Sequence, residues 1–290
     1  MTNHGNTVLV VGSLHYDIFV EAEHLPRRDE TAVGTRWFPK FGGKGGNQAV
    51  AARGNGVATR MFGAVGDDTF GVYLRESLQR AGVDDNYVAT ADGSGSGMSV
   101  AIMDKSGDYA ATIVSGANLL ITADDLSKPQ LWQDVGLLVL QNEVPEIVNI
   151  TAAAEARRRG IRTMLNAAPS RPMSPKFIKL VDILVVNAVE AEMMGAEPIV
   201  TLSGAADAAK VLADRFESVI VTAGSLGLAA WNIDDEQFTL AAEKITAVSS
   251  HGAGDAFIGA LAANMVQGAA FKIACAAASH AAAEHVAGRR

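Results

Sequence analysis

From residue 135 onward the chain alternates strand-like and helix-like stretches with a regularity that few architectures accommodate. Residues 135–140 read as a strand that runs into Asn142 and Glu143, and 146–159 follow as a helix. Residues 161–165 form a strand-like run ending at Asn166, and 183–186 another ending at Asn187. Then come 205–216 as a helix and 219–222 as a strand, closed by Thr222 and the loop Ala223-Gly224-Ser225-Leu226-Gly227. Apolar runs alternating with helical periods predict a doubly wound α/β fold with a mostly parallel sheet. Such sheets bind ligands just beyond the carboxyl ends of their strands. One polar residue there means little, but Glu143, Asn166, Asn187 and Thr222 fall there in succession and point to a site.

The N-terminal part begins the same way. Residues 8–11 read as a buried first strand ending at Gly12-Ser13, followed by His15 and Asp17 in alternation with Leu14, Tyr16 and Ile18. Residues two apart face the same side of an extended chain, so His15 and Asp17 point together, either at a ligand or along a solvated strand edge. Residues 19–41 carry Pro26 and Pro39 and no helical period, which suits a small sheet outside the main layer. Next, Phe41-Gly42-Gly43-Lys44-Gly45-Gly46-Asn47-Gln48-Ala49 sets four glycines around Lys44 and Asn47 and leads into a helix-like stretch at 49–53. That density predicts close approach of the backbone to a bound group, with Lys44 and Asn47 as polar handles. It is no Walker A loop, because Gly45 stands where that motif needs Ser or Thr. A strand at 58–65 and a helix at 69–81 follow. Met98–Met103 and Tyr109–Val114 flank Lys105-Ser106-Gly107-Asp108 as a hairpin, and with the earlier piece they predict a lid made of about 15–41 and 98–115.

Near the C-terminus, Ser249-Ser250-His251-Gly252-Ala253-Gly254-Asp255-Ala256-Phe257 runs straight into an alanine-rich, helix-like segment at 256–266. A tight turn opening a helix leaves backbone N–H groups unpaired at its positive end, and glycines admit an anion to them. Asp255 is out of place in an anion cradle unless it handles a proton or a metal, and the pairing points to phosphoryl transfer. Taken alone, the motif is also an ordinary turn with an acid at a helix start.

The rest of the composition narrows the partners. A formal net charge of -8 without a dense Lys/Arg block argues against nucleic acid or an anionic membrane and for a small ligand. The alanine-rich region 256–286 is interrupted by Asn264, Gln267, Lys272, His280 and Glu284, too polar for a membrane span, and reads as two helices hinged near Gly268. The one cysteine, Cys275, excludes an internal disulfide and fits a buried small hydrophobe in a reducing cytoplasm, as does the lack of a secretion leader. His4, His24 and the other histidines have no metal-ligand spacing, so no structural zinc is expected. With no repeat or charged linker, residues 1–290 are expected to form a single domain.

Taken with Asn187-x-x-Glu190 and Thr222-Ala223-Gly224-Ser225-Leu226-Gly227 between them, the two glycine signatures make the chain resemble the ribokinase-like, PfkB-type carbohydrate kinase family over residues 8–285. The resemblance implies a three-layer α/β/α sandwich with a small β-sheet lid, ATP as phosphoryl donor with Mg2+, and a sugar hydroxyl as acceptor, ribose or a related pentose first. It implies that Asp255 is the catalytic base and Gly252, Ala253 and Gly254 the anion hole. By the same resemblance His15, Asp17, Gly42, Gly43, Lys44, Asn47 and Glu143 hold the sugar, with Asp255 beside it. Asn187, Thr222, Gly224, Ser225, Gly227, Gly254 and His280 would face the nucleotide, and Glu190 the magnesium indirectly. A homodimer through the lid is a further implication.

The chain departs from the family pattern in three places. His15 replaces an Asn that touches the sugar, so acceptors other than ribose stay open. Ser249 replaces an Asp that helps to hold a potassium ion, and the chain ends at Arg290, soon after its last helix, so potassium activation is an open expectation. The competing readings are a kinase of the same fold for a ketohexose, nucleoside or other sugar derivative, a serine hydrolase using Ser225, and a non-catalytic sugar sensor. The hydrolase reading lacks the first glycine of a nucleophile elbow, where Ala223 stands, and leaves Gly42 to Asn47 without a task.

Overall fold

Thr7–Val11 (β1) is buried at every position, as a strand covered on both faces must be. Its alternate residues enter different cores, Val8 and Val10 on one face of the sheet and Leu9 and Val11 on the other. The structure, a computed structural model, describes residues 5–106, 109–234 and 236–289.

In chain order the further strands are His15–Ala22 (β2), Gly34–Gly42 (β3), Ala58–Gly66 (β4), Asp84–Ala91 (β5), Met98–Met103 (β6), Tyr109–Val114 (β7), Val135–Gln141 (β8), Arg162–Asn166 (β9), Ile183–Asn187 (β10), Ser218–Thr222 (β11), Gly227–Asn232 (β12) and Gln237–Ala241 (β13). The helices are Lys44–Gly54 (α1), Thr69–Arg80 (α2), Glu146–Arg158 (α3), Pro175–Ile178 (α4), Ala188–Met193 (α5), Leu202–Ala213 (α6), Ala253–Val266 (α7) and Phe271–Val286 (α8). A nine-stranded sheet runs in the order β13-β12-β11-β10-β9-β8-β1-β4-β5. It is parallel from β5 to β11, and β12 and β13 finish one edge as an antiparallel pair.

Two cores sandwich this sheet. Residues of α1, α2, α7 and α8 pack on one face, and residues of α3, α4, α5 and α6 on the other, which makes the three-layer α/β/α architecture. Leu137, Leu138 and Leu140 of β8 are at most 1% exposed. Each such leucine contributes about 1.5–3 kcal/mol by leaving water. A smaller, separate sheet of four strands, in the order β3-β2-β6-β7, combines antiparallel β2/β3 and β6/β7 pairs with a parallel β2/β6 pair. Pro39, which cannot donate to a ladder, sits on the edge strand β3 where that costs least. In the expected hairpin turn, Gly107 and Asp108 lie outside the described residues, as do His4 and Arg290.

The expected boundaries need three corrections, and three strands have no expected counterpart. Helix α1 starts at Lys44, not at 49, because its glycine-rich first turn packs on the exit of β1, where the Gly46 N–H donates to the Ser13 carbonyl at 2.9 Å. Helix α7 starts at Ala253, three residues before the apolar run. Helix α6 starts at Leu202, since the Thr201 hydroxyl caps the Gly204 N–H at 3.0 Å, a local signal that outweighs the later hydrophobic start. Strands β5, β12 and β13 lie at or next to the sheet edges, with half-exposed or alanine-containing sequences that carry little strand signal. Among the described residues no helix is long and apolar enough to cross a membrane. Cys275 is buried in α8, and burial, with Glu236 nearby, pushes its thiol up to about 12.

Candidate active site

The order of strand addition reverses between β1 and β8: from β1 the chain adds β4 and β5 on one side, then returns to add β8 to β13 on the other. A crevice opens above the carboxyl ends of strands at such a switch point. Ser13 follows β1 and Glu143 follows β8, so the topology alone places them side by side. The Ser13 hydroxyl donates to Glu143 Oε2, and the same oxygen accepts the Lys44 N–H at 2.9 Å. Glu143 thereby supplies negative charge to the N-terminus of α1, whose preceding residue, Gly43, has no side chain to cap it.

Gly43 takes a φ of 84°, the left-handed region. A Cβ there would lie 2.7 Å from the His15 nitrogen and 2.8 Å from the Ser13 oxygen. Only glycine lets β3 turn into α1 directly against the segment that leads into β2. Within that segment, the Asn118 side chain both accepts the Leu14 N–H and donates to the Leu14 carbonyl, each at 2.9 Å, and so fixes the chain one residue before His15. His15 is buried, and its Nε2 has no hydrogen-bond partner among the described residues. Asp17 is buried two residues on, accepts the Ser99 hydroxyl, and lies directly against Gly42.

Helix α1 packs against α7, and this contact joins the two signatures. Asn47 Nδ2 donates to Asp255 Oδ2 at 3.2 Å and Gln48 Nε2 donates to Asp255 Oδ1 at 2.9 Å. Gln48 Oε1 in turn accepts from Gln141 Nε2 at 2.8 Å. Asp255 is 8% exposed in the first turn of α7. Burial pushes its carboxyl above the usual range; the Lys44 ammonium and the two amide donors oppose that push, and Glu143 adds to it.

At the start of α7, Gly252 is left-handed (φ 80°), and no side chain caps the helix. The first N–H groups of such a helix are free of intrahelical partners. The Ala253 N–H is engaged with the Ser250 carbonyl at 3.3 Å, while Gly252 and Gly254 line the cleft. Two cavities meet at Gly252 and Asp255. One, of about 540 Å³, is bounded by Lys40, Phe41, Asn47, Val50, His251 and Ala256. The other, of about 200 Å³, follows the sheet edge past Lys44, Asn166, Asn187, Glu190 and Thr222. Burial holds the His251 imidazole below its ordinary value, with Lys40 acting the same way, and its ring meets Phe19 of β2 edge-on at 5.7 Å.

The nucleotide-side residues divide. Asn187 and Glu190 form a reciprocal cap at the start of α5, each accepting the other's backbone N–H at 2.9 Å, and both line the smaller cavity. Gly224, Ser225 and Gly227 belong to a turn after β11 outside both cavities, with Gly224 and Ser225 exposed. His280 is also outside them, exposed on α8, where its Nδ1 meets Glu243 Oε1 at 2.9 Å. One ring nitrogen of His280 is directed to Glu243 and one of His285 to the His251 carbonyl, and among the described residues no hydrogen bond joins a histidine to Ser225, so the hydrolase reading gains no support.

Ser13, Gln48, Ser99, Asn118, Gln141 and His251 take part in this geometry although the sequence assigned them no role. Gln48 stood inside the first signature, and its neighbour Asn47 was a usable hint. An amide within an alanine-rich helix otherwise reads as surface.

Comparison with known proteins identifies the family and the fold. The pattern of the pfkB family carbohydrate kinases matches residues 6–289. Ribokinase of Mus musculus is 31% identical over 259 residues, covering 88% of this chain and 80% of that protein. Deoxyribokinase of Salmonella typhi is 31% identical over 263 residues, covering 90% and 86%. The structure of Arabidopsis thaliana ribokinase complexed with ribose and ATP is similar with a TM-score of 0.89 at 28% identity, covering 97% of this chain and 92% of that one. A Burkholderia thailandensis nucleoside kinase in complex with inosine shares the fold, with a TM-score of 0.80 at 21% identity over 97% and 91% of the two chains.

Proposed function

The chain belongs to the pfkB family of carbohydrate kinases, and from that premise we propose that it transfers the γ-phosphoryl group of ATP to the hydroxymethyl group of a free sugar, ribose or a related pentose first. The observation that carries this reading is Asp255, buried where the two cavities meet and held by two amides of the glycine-lysine helix. A carboxylate lifted by burial accepts a proton more readily, which suits a general base for a sugar alcohol. Backbone N–H groups at the start of α7 lie beside it, where charge spreads over a transferring phosphoryl group.

In this reading Asp17, Lys44, Asn47 and Glu143 orient the sugar and the unpartnered His15 Nε2 adds one hydrogen bond, with Gly42 and Gly43 allowing close approach. The nucleotide phosphates lie along Asn187, Thr222 and Gly254. Gly224, Ser225, Gly227 and His280 are the outer part of the nucleotide site. Glu190 would suit an indirect magnesium contact, since it lines the smaller cavity, commits one oxygen to the helix cap and leaves the other for a metal-bound water. When bound, the ion would neutralise phosphate charge. Ser249 Oγ accepts the His251 N–H at 3.3 Å inside its own loop, which lends no support to a potassium requirement.

The smaller sheet acts in this proposal as a lid on a single domain. Its Trp37, 63% exposed, supports a homodimer through that sheet. The setting is the cytoplasm, where ATP is at hand. A nucleoside acceptor is the second reading, favoured by the size of the 540 Å³ cavity and by Phe41, Val50 and Ala256 in its wall.

An ADP-release assay with ribose, 2-deoxyribose, fructose and inosine decides among acceptors. Turnover is expected with the pentoses and not with inosine; the reverse pattern would move the assignment to nucleosides, and sugar binding without turnover to a sensor. Deoxyribokinase and ribokinase among the relatives make the ratio of the two pentoses the informative number. A second expectation concerns Gln48→Leu. The Gln48 amide lowers the Asp255 pKa, so its loss raises that pKa further and moves the acid limb of kcat/KM to higher pH. An unmoved limb would detach Asp255 from the rate.

A further inference from the structure

The loop 248–252 that leads into α7 is tied to the last turn of α8. The Val286 carbonyl accepts the Val248 N–H at 2.8 Å and the Ser249 N–H at 3.3 Å. One residue earlier, His285 Nε2 lies 2.8 Å from the His251 carbonyl oxygen. The same nitrogen stands over Gly252, 3.1 Å from where a Cβ would project. A carbonyl can only accept, so Nε2 must carry a proton. That condition holds for the neutral Nε2–H tautomer and for the imidazolium.

The His251 carbonyl shares its peptide plane with the Gly252 N–H, and in a trans peptide the two point in opposite directions. Holding the carbonyl therefore sets where that N–H points. Gly252 is also where the backbone turns left-handed to start α7, and glycine resists such a turn least but defines it least. A donor fixed on a neighbouring helix supplies the missing definition.

We infer that His285 is a positioning residue for phosphoryl transfer: through the His251 carbonyl it holds the Gly252 peptide, and with it the start of α7, in the orientation that receives the transferring group. This role rests on the kinase reading. It assigns His285 no contact with the reacting atoms. Donors that stabilise developing charge work only if they are aimed before the reaction starts, so loss of the bond should appear in kcat and not in KM.

The test uses the full chain with His285→Ala and His285→Gln, the second of which keeps an N–H donor of similar reach. His285→Ala is expected to lower kcat about tenfold with KM for sugar and ATP within about twofold, and His285→Gln to recover most of the loss. Amide hydrogen exchange over residues 250–254 is expected to quicken in the alanine variant and to return toward the parent rate in the glutamine variant. Equal losses in both variants, a change confined to KM, or unchanged exchange would overturn the role. A parent chain that releases no ADP with any acceptor overturns the kinase reading and this role with it. An active parent with indifferent variants overturns this role alone.

Discussion

Asp255→Asn is expected to lower kcat by about 10²- to 10⁴-fold, the share of rate a positioned base supplies, while the melting temperature holds or rises slightly. The retained stability follows from the direction of the pKa shift. Burial is the largest cause of the raised value, so the native state binds this proton more tightly than the unfolded chain, whose carboxyl titrates near 3.8. Native stability therefore falls as pH rises from that unfolded value through the raised native one, and the loss is complete above it. The substitution removes a buried titratable carboxyl and keeps the shape that Asn47 and Gln48 hold. ADP release and melting curves followed upward in pH from the unfolded value near 3.8 check both halves: the parent should lose more stability along the series than the variant. A variant with near-parent kcat would remove Asp255 from the base role.

The second large effect is expected from Gly43→Ala. An alanine at a φ of 84° and a ψ of 131° lies in backbone space that side chains rarely enter, at a cost of about 1–3 kcal/mol. Its Cβ would also press on backbone atoms at 2.7 and 2.8 Å, which no rotamer change relieves. Overpacking of this kind adds about 1–3 kcal/mol. Together these should lower the melting temperature by roughly 5–15 °C, at a few degrees per kcal/mol for a chain of this size. Because the strained atoms join His15 to the start of α1, KM for the sugar should rise as well. Chemical denaturation and sugar titrations read the two effects, and near-parent values in both would show that the junction yields.

The exposed Gly224 and Ser225, the buried Gly227 at the head of β12 and the position of His280 show where family pattern and geometry part. These residues follow the motif order closely, yet they lie outside both cavities, with His280 paired to Glu243. By contrast, Gln48 carried no motif weight beyond adjacency to Asn47 and Gln141 carried none, yet both are fully buried, Gln48 on Asp255 and Gln141 behind Gln48. Pattern marks which segment reaches a site; only packing decides which of its side chains faces inward.

Local sequence determined the doubly wound layering, because the period of each apolar run selects strand or helix within a few residues. It also determined that Asp255 opens a helix behind Gly252, since glycine turns and helix starts are short-range events. The partners of that carboxylate were decided elsewhere. Gln48 is 207 positions away from Asp255, and Glu143 reaches Lys44 across 99 positions. Those meetings depend on the order in which strands join the sheet and on α1 lying along α7. Even the glycine-rich first turn of α1, built of poor helix formers, is helical because the exit of β1 and the carboxylate of Glu143 receive its N–H groups, a stabilisation that exists only once the strands have assembled.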